Sequence, residues 1–161
     1  MLQKIVPFLW FDDQAEEAVN FYTSIFKNSR ILSSSRYNEA GAGVSGKPAG
    51  SVMAVDFEIE SQRFTALNGG PMFKFTEAVS FVVNCDTQEE VDELWDRLTD
   101  RGEPGQCGWL KDRFGVSWQV VPVALELMLT DPDPAKSKRV MEAMLKMKKI
   151  EIAKLQEAYE G

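Results

Sequence analysis

Three acidic side chains at alternate positions, Asp56, Glu58 and Glu60, are the first residues in this chain whose spacing suits chemistry. On a strand they project from one face. Paired carboxylates serve as acid and base when burial splits their pKa values. The competing reading is a solvated sheet face, and it takes precedence because unpaired carboxylates are rarely buried. Cys107, beside Gly108 and Trp109, is the second candidate. A nucleophilic thiol needs a depressed pKa. Lys111 is close in sequence, but the chain has no histidine to act as a base. Cys107 therefore reads as structural or pocket-lining, and Cys85, at a strand end, as core. Trp10, Trp109 and Trp118 fall on strands, where aromatic walls suit a planar or apolar ligand and equally suit core packing. Trp95 lies on a helix stripe and reads as core. Asn68, followed by Gly69-Gly70-Pro71, fits either a ligand-contacting loop or plain turn chemistry.

Composition removes several classes of function. The absence of histidine excludes imidazole metal sites, Ser-His-Asp triads and imidazole acid–base catalysis. A net charge of −7 argues against nucleic acid as a partner. Two cysteines are too few for a disulfide framework in 161 residues, which predicts a reducing, cytoplasmic setting. No stretch approaches the ~20 apolar residues of a membrane span, and the first residues lack the apolar core of a secretory leader. At 44% hydrophobic, the chain can bury a core.

The elements that must position these residues follow from patterning. Lys4–Phe11 is a short apolar strand. Asp13 and Glu16 form an acidic capping pair for a helix carrying Ala15, Ala18, Val19, Tyr22 and Ile25. Ile31–Tyr37 is a strand, and residues 38–50 are a glycine-rich loop. That loop is not a phosphate loop, because Pro48 follows Lys47 and no strand-to-helix turn surrounds it. Ser51–Glu60 alternates as a half-buried strand, and Arg63–Asn68 pairs with it. The order then repeats. Glu77–Cys85 is a strand, and Thr87 and Glu90 form a capping box for a helix with Val91, Leu94, Trp95 and Leu98 on its stripe. Strands follow near 106–111 and 116–121. Residues 122–129 are a helical turn. Asp133 and Pro134 then start a long helix to about Tyr159, striped by Met141, Leu145, Ile152, Leu155 and Tyr159. The two halves align at one constant offset: Val6-Pro7-Phe8-Leu9 with Val79-Ser80-Phe81-Val82, Asp13 with Asp86, and Tyr22 with Trp95. Each half reads β-α-β-β-β.

On these residues the chain resembles the vicinal oxygen chelate superfamily, the glyoxalase, bleomycin-resistance and dioxygenase fold. More closely it resembles its PhnB-like branch, described as a 3-demethylubiquinone-9 3-methyltransferase domain. The segments that carry the resemblance are Pro7-Phe8-Leu9-Trp10-Phe11, Ala66–Pro71, Val79–Val83, Cys107–Asp112, Gly115–Gln119 and Arg139–Met144. The resemblance implies an α+β fold: two βαβββ modules forming a paired mixed β-sheet around a cleft, plus a long C-terminal helix. It implies one domain over 1–122, with modules near 1–72 and 73–122 and a helical extension over 123–161. It also implies a homodimer.

Metal-dependent members take ligands from four strands. Those positions fall near Pro7, on Ser80 or Ala78, on Thr65 or Leu67, and on Gln119. Only Gln119 has a ligating side chain of note, so the expectation is no metal and no cofactor. A Rossmann-type S-adenosylmethionine site needs a Gly-rich strand-to-helix turn, and none is present. The reading is therefore metal-free binding of a small, partly apolar molecule in the sheet cleft. Its candidate contacts are Trp10, Asn68, Trp109, Trp118 and Gln119. Two alternatives stay open: an enzyme of the same superfamily, either transferase or metal-dependent, and an interaction protein acting through the Met-rich C-terminal helix.

Overall fold

The computed structural model describes residues 2–161. They divide into two compact units, one reaching Phe75 and one spanning Thr76–Gly161. The C-terminal helices thus belong to the second unit.

The first unit contains β1 (Phe8–Phe11), α1 (Ala15–Ile25), β2 (Arg30–Arg36), α2 (Glu39–Ser45), β3 (Val52–Ile59) and β4 (Gln62–Asn68). Its sheet runs β1-β4-β3-β2. β1 is parallel to β4, and the other pairs are antiparallel. Alternation decides the faces. Leu9, Phe11, Val55, Phe57, Ile59, Phe64 and Ala66 are buried, as are Ala15, Ala18, Val19, Tyr22 and Ile25 of α1. Tyr22 stacks on Phe57, which stacks on Phe64, with ring centroids 6.3 and 5.6 Å apart. Each fully buried side chain of this size contributes roughly 1.5–3 kcal/mol. Phe8, Trp10, Thr65, Leu67, Ala54, Asp56 and Glu58 share the opposite, open face, as their register requires.

The second unit repeats the plan with β5 (Ser80–Cys85), α3 (Gln88–Thr99), β6 (Glu103–Pro104), β7 (Trp109–Lys111) and β8 (Ser117–Pro122). The strand order is β5-β8-β7-β6, with β5 parallel to β8. Thr87 caps α3 by accepting from the Glu90 amide, and the Glu90 carboxylate accepts from the Asp86 amide. The anticipated capping box is therefore present, with its return bond one residue earlier.

Three expectations change. First, the repeat is not gap-free. Leu9 and Phe11 face the helix side, whereas Val82 is 53% exposed. Leu9 is therefore equivalent to Val83, and Phe11 to Cys85. The strand-to-helix connector has three residues in the first module and two in the second. A one-residue slip moves every side chain to the other face of a strand.

Second, residues 38–50 contain α2. Asn38 caps it by accepting from the Gly41 amide, and Gly46 closes it at φ 75°. Its alanine-glycine composition hid those two signals.

Third, the long C-terminal helix is interrupted. α4 (Val123–Leu129), α5 (Pro134–Met144) and α6 (Ile152–Glu160) replace it. Asp133 does cap α5, with Pro134 opening the helix. Between α5 and α6 the backbone pairs elsewhere. The Cys107 and Gly108 amides donate to the Met147 and Lys148 carbonyls. Gln88 donates to the Ile150 carbonyl and accepts from the Ile152 amide. Val140, Met147, Ile150 and Leu155 consequently form the buried cluster, while Met141 and Leu145 are exposed.

Candidate functional site

On the open face of the first sheet, Asp56 is the centre of a hydrogen-bonded group. One carboxylate oxygen accepts from the Thr65 hydroxyl at 2.6 Å. The other accepts from Arg63 Nη2 at 2.7 Å and from the Ser33 hydroxyl at 3.3 Å. Burial alone would raise this carboxyl. The Thr65 and Arg63 hydrogen bonds, the Arg63 charge and the Ser33 hydroxyl outweigh it and hold Asp56 below the usual carboxylate range. Glu58 is paired with Arg30 at 2.9 Å. Glu60 leaves the row, because it sits in the β3–β4 turn at φ 48°. The three acids thus form no acid–base pair: two are neutralised by their own arginines and the third is in a turn.

The Asp56 network predicts a pH dependence. A carboxylate whose folded pKa is depressed stabilises the fold above the unfolded value near ~4, and that stability is lost as pH falls through the folded value. Asp56→Asn is expected to cost about 1–2 kcal/mol at pH 7. The difference from wild type should be smaller at pH 3 and go on shrinking as pH falls through the folded value. Urea titrations at the two pH values check this, and an equal penalty at both would refute it.

Trp10 shares that face and is half-buried. Its Nε1 donates to the Gly70 carbonyl at 2.9 Å, and its ring meets Phe73 edge-on at 4.9 Å. The ring lies so close to Gly69 that a Cβ there would sit 2.3 Å from Trp10 Cε2. Glycine is required at 69 by this approach. Asn68 points to the other face. Its Oδ1 accepts from the Ala15 amide at 2.8 Å, and its Nδ2 donates to the Val52 carbonyl at 3.1 Å. The cap of α1 is therefore Asn68 from across the sheet. Asp13, the sequence-based choice, does not supply it, and Gln14 at the N-cap position makes no side-chain cap bond.

On the second sheet, Trp109 and Gln119 are register partners on β7 and β8, and both are half-buried on the open face. The Gln119 amide donates to the Ser80 hydroxyl at 2.9 Å. Ser117, two residues along β8 and in register with Ser80 and Lys111, is 1% exposed, and its hydroxyl has no hydrogen-bond partner. Lys111 is paired with Glu77. Trp118 lies on the helix side. It is buried, tilted against Phe81 at 5.4 Å, and its Nε1 donates to the buried Asp112 carboxylate at 2.9 Å. Of the five candidate contacts, Trp10 lies on one open face and Trp109 and Gln119 on the other. Asn68 and Trp118 face helices and are engaged in structural hydrogen bonds. Ser117 and Asp112 were missed. An Asp-x-x-Gly turn at Asp112–Gly115 signals the second, but nothing in the sequence marks the first.

Thiol chemistry gains no support at Cys85. Burial, reinforced by Glu90 and Asp86, pushes its pKa up to about 12. Cys107 occupies a turn at φ 57°, with its amide bound to Met147.

The chelate positions do not fit a divalent ion. Strand alternation replaces Pro7, whose carbonyl accepts from the Thr65 amide, by Val6 or Phe8 on the open face. Thr65 is bound to Asp56, and Gln119 to Ser80. Alkyl, aromatic, hydroxyl and amide groups make a poor set for a Lewis-acidic metal. Among the described residues, no three His, Cys, Asp or Glu side chains cluster to hold one. S-adenosylmethionine fares no better. β1 and β5 lead to their helices through Asp12-Asp13-Gln14 and Asp86-Thr87, without glycine, and neither sheet is doubly wound.

Two βαβββ modules of the same strand order define a protein of the vicinal oxygen chelate superfamily. The chain belongs to the 3-demethylubiquinone-9 3-methyltransferase family, the PhnB-like branch, whose model matches residues 3–121. A PhnB protein from Bacillus cereus with the same family description is 38% identical, with a TM-score of 0.67 over 75% of this chain and 100% of that one. The protein PA1353 from Pseudomonas aeruginosa is 24% identical, with a TM-score of 0.59 over 76% of this chain and 98% of that one. A variant of FosX, a fosfomycin resistance protein from Listeria monocytogenes solved with Mn(II) and a dihydroxypropylphosphonic acid, is 17% identical. Its TM-score is 0.54 over 79% of this chain and 99% of that one. These last two likenesses concern the fold alone. None of the curated proteins compared with the chain matches it.

Proposed function

We propose that this chain binds a small, partly apolar molecule without a metal, against the open face of a sheet. One observation carries the reading. Trp109 and Gln119 stand side by side in register, half-buried, on a face whose cation Lys111 is already paired with Glu77. An aromatic wall beside a few convergent polar groups is the usual make-up of a small-molecule site. The enzyme reading lacks a comparable feature, since the sheet carboxylates Asp56 and Glu58 are tied to arginines.

The test is a fragment screen by saturation-transfer NMR on protein purified without a nickel column. Planar fragments are expected to bind, and Trp109→Ala should weaken them about tenfold, the equivalent of ~1.4 kcal/mol, with the far-UV circular dichroism unchanged. No binding by any fragment, affinities indifferent to Trp109→Ala, or a stoichiometric divalent metal in the purified protein would overturn the proposal.

A further inference from the structure

The second sheet's open face has an unusual chemical balance. Ser80, Ser117 and Gln119 lie together on β5 and β8, and none of them is ionisable. The Gln119–Ser80 bond uses one amide proton of Gln119 and one lone pair of Ser80. The Gln119 carbonyl oxygen, its second amide proton and the Ser80 hydroxyl proton remain for further bonding. Next to them Ser117 holds an unpartnered hydroxyl at 1% exposure. A buried hydroxyl without a partner is costly in the free protein, and alanine would remove the cost. A partner that the chain itself does not supply would account for it.

Resting on the binding reading above, we propose that Ser80, Ser117 and Gln119 recognise a neutral, planar group carrying both a hydrogen-bond acceptor and a donor, a carboxamide or lactam, stacked on Trp109. Gln119 presents an acceptor and a donor from one planar amide, the complement of another amide. A carboxylate lacks the donor to match the Gln119 carbonyl and would compete with Glu77 for Lys111. An ammonium group would satisfy the Gln119 carbonyl but none of the remaining amide and hydroxyl protons, and the carboxylates beside it, Glu77 and Glu103, already act on Lys111. The aromatic neighbour adds a flat wall rather than a charge.

The probes are benzamide, benzoate and benzylamine, titrated against the full chain and followed by NMR. Benzamide is expected to bind about tenfold tighter than either charged analogue, the worth of one well-made hydrogen bond pair. Ser117→Ala is expected to do two opposite things: raise the Tm of the free protein by about 2–4 °C and weaken benzamide about tenfold. Gln119→Leu should abolish the preference for benzamide over benzoate while the protein stays folded. Equal affinities for the three probes, a fall in Tm on Ser117→Ala, or undiminished benzamide binding by both variants would overturn this inference. If planar fragments still bind through Trp109 in those cases, the broader reading survives. If none of them binds at all, the broader reading fails first.

Discussion

Asp112→Ala is expected to lower the stability of the chain by about 3–5 kcal/mol. Asp112 is 3% exposed and precedes the turn between β7 and β8. One carboxylate oxygen accepts from the Phe114 amide at 2.8 Å and the Val116 amide at 3.1 Å. The other accepts from Trp118 Nε1 at 2.9 Å. The main chain closes the same turn: the Asp112 amide donates to the Val116 carbonyl, and the Gly115 amide, at φ 89°, donates to the Asp112 carbonyl. Alanine removes the acceptor of three donors, and a buried donor's lost bond costs about 1–3 kcal/mol. The sum is reduced by whatever water reaches the turn. Asp112→Asn keeps the shape and one acceptor and should cost about half as much. Trp118→Phe removes a single donor and leaves the turn bonds intact, so a double-mutant cycle with Asp112→Asn isolates the tryptophan–carboxylate term. Urea unfolding followed by far-UV circular dichroism measures all of these. A loss below about 1 kcal/mol for Asp112→Ala would show that the carboxylate is not the turn's organising group.

The sequence revealed the plan of the fold more readily than the direction of its side chains, and the reason is register. Alternation in Val52–Ile59 is strong enough to assign faces unaided, because Val55, Phe57 and Ile59 interleave with Asp56 and Glu58. β5 has no such pattern: Ser80, Phe81, Val82 and Val83 include apolar residues of both faces. The pattern therefore admits a match of Leu9 to Val82, and the exposure of Val82 together with the shorter connector before α3 shows it to be one residue out. The same limit separates the tryptophans. Trp109 and Trp118 both read as strand residues, but antiparallel pairing sets Leu110 opposite Trp118 and Trp109 opposite Gln119, which puts the two indoles on opposite faces. The interrupted C-terminal helix has a different cause. Residues 145–151 have no helix breaker. Their backbone is instead recruited by Gln88, Cys107 and Gly108, partners that local propensity cannot register.

Asn68→Ala is expected to cost about 2–4 kcal/mol and to leave small-molecule binding at Trp109 unchanged. The magnitude follows from what one amide joins. Its oxygen satisfies the first backbone donor of α1, at Ala15, where the helix has no side-chain cap of its own. Its nitrogen satisfies the carbonyl of Val52 at the start of β3. Its own carbonyl accepts from the buried Tyr37 hydroxyl at 2.6 Å, a bond that alanine leaves in place. The substitution therefore strands one buried donor and one acceptor. Asn68→Asp keeps the acceptor for Ala15 but turns an anionic oxygen toward the Val52 carbonyl, so it should recover only part of the loss. The pair of readouts separates two roles for a polar residue placed before Gly69-Gly70-Pro71. A residue that holds α1, β3 and β4 together is seen in the unfolding midpoint and not in the affinity of a folded molecule. A residue that touches ligand shows the reverse. Lost affinity for planar fragments with an unchanged unfolding midpoint would return Asn68 to the binding site. Lost stability with binding intact would establish that the side chain is committed to the helix cap.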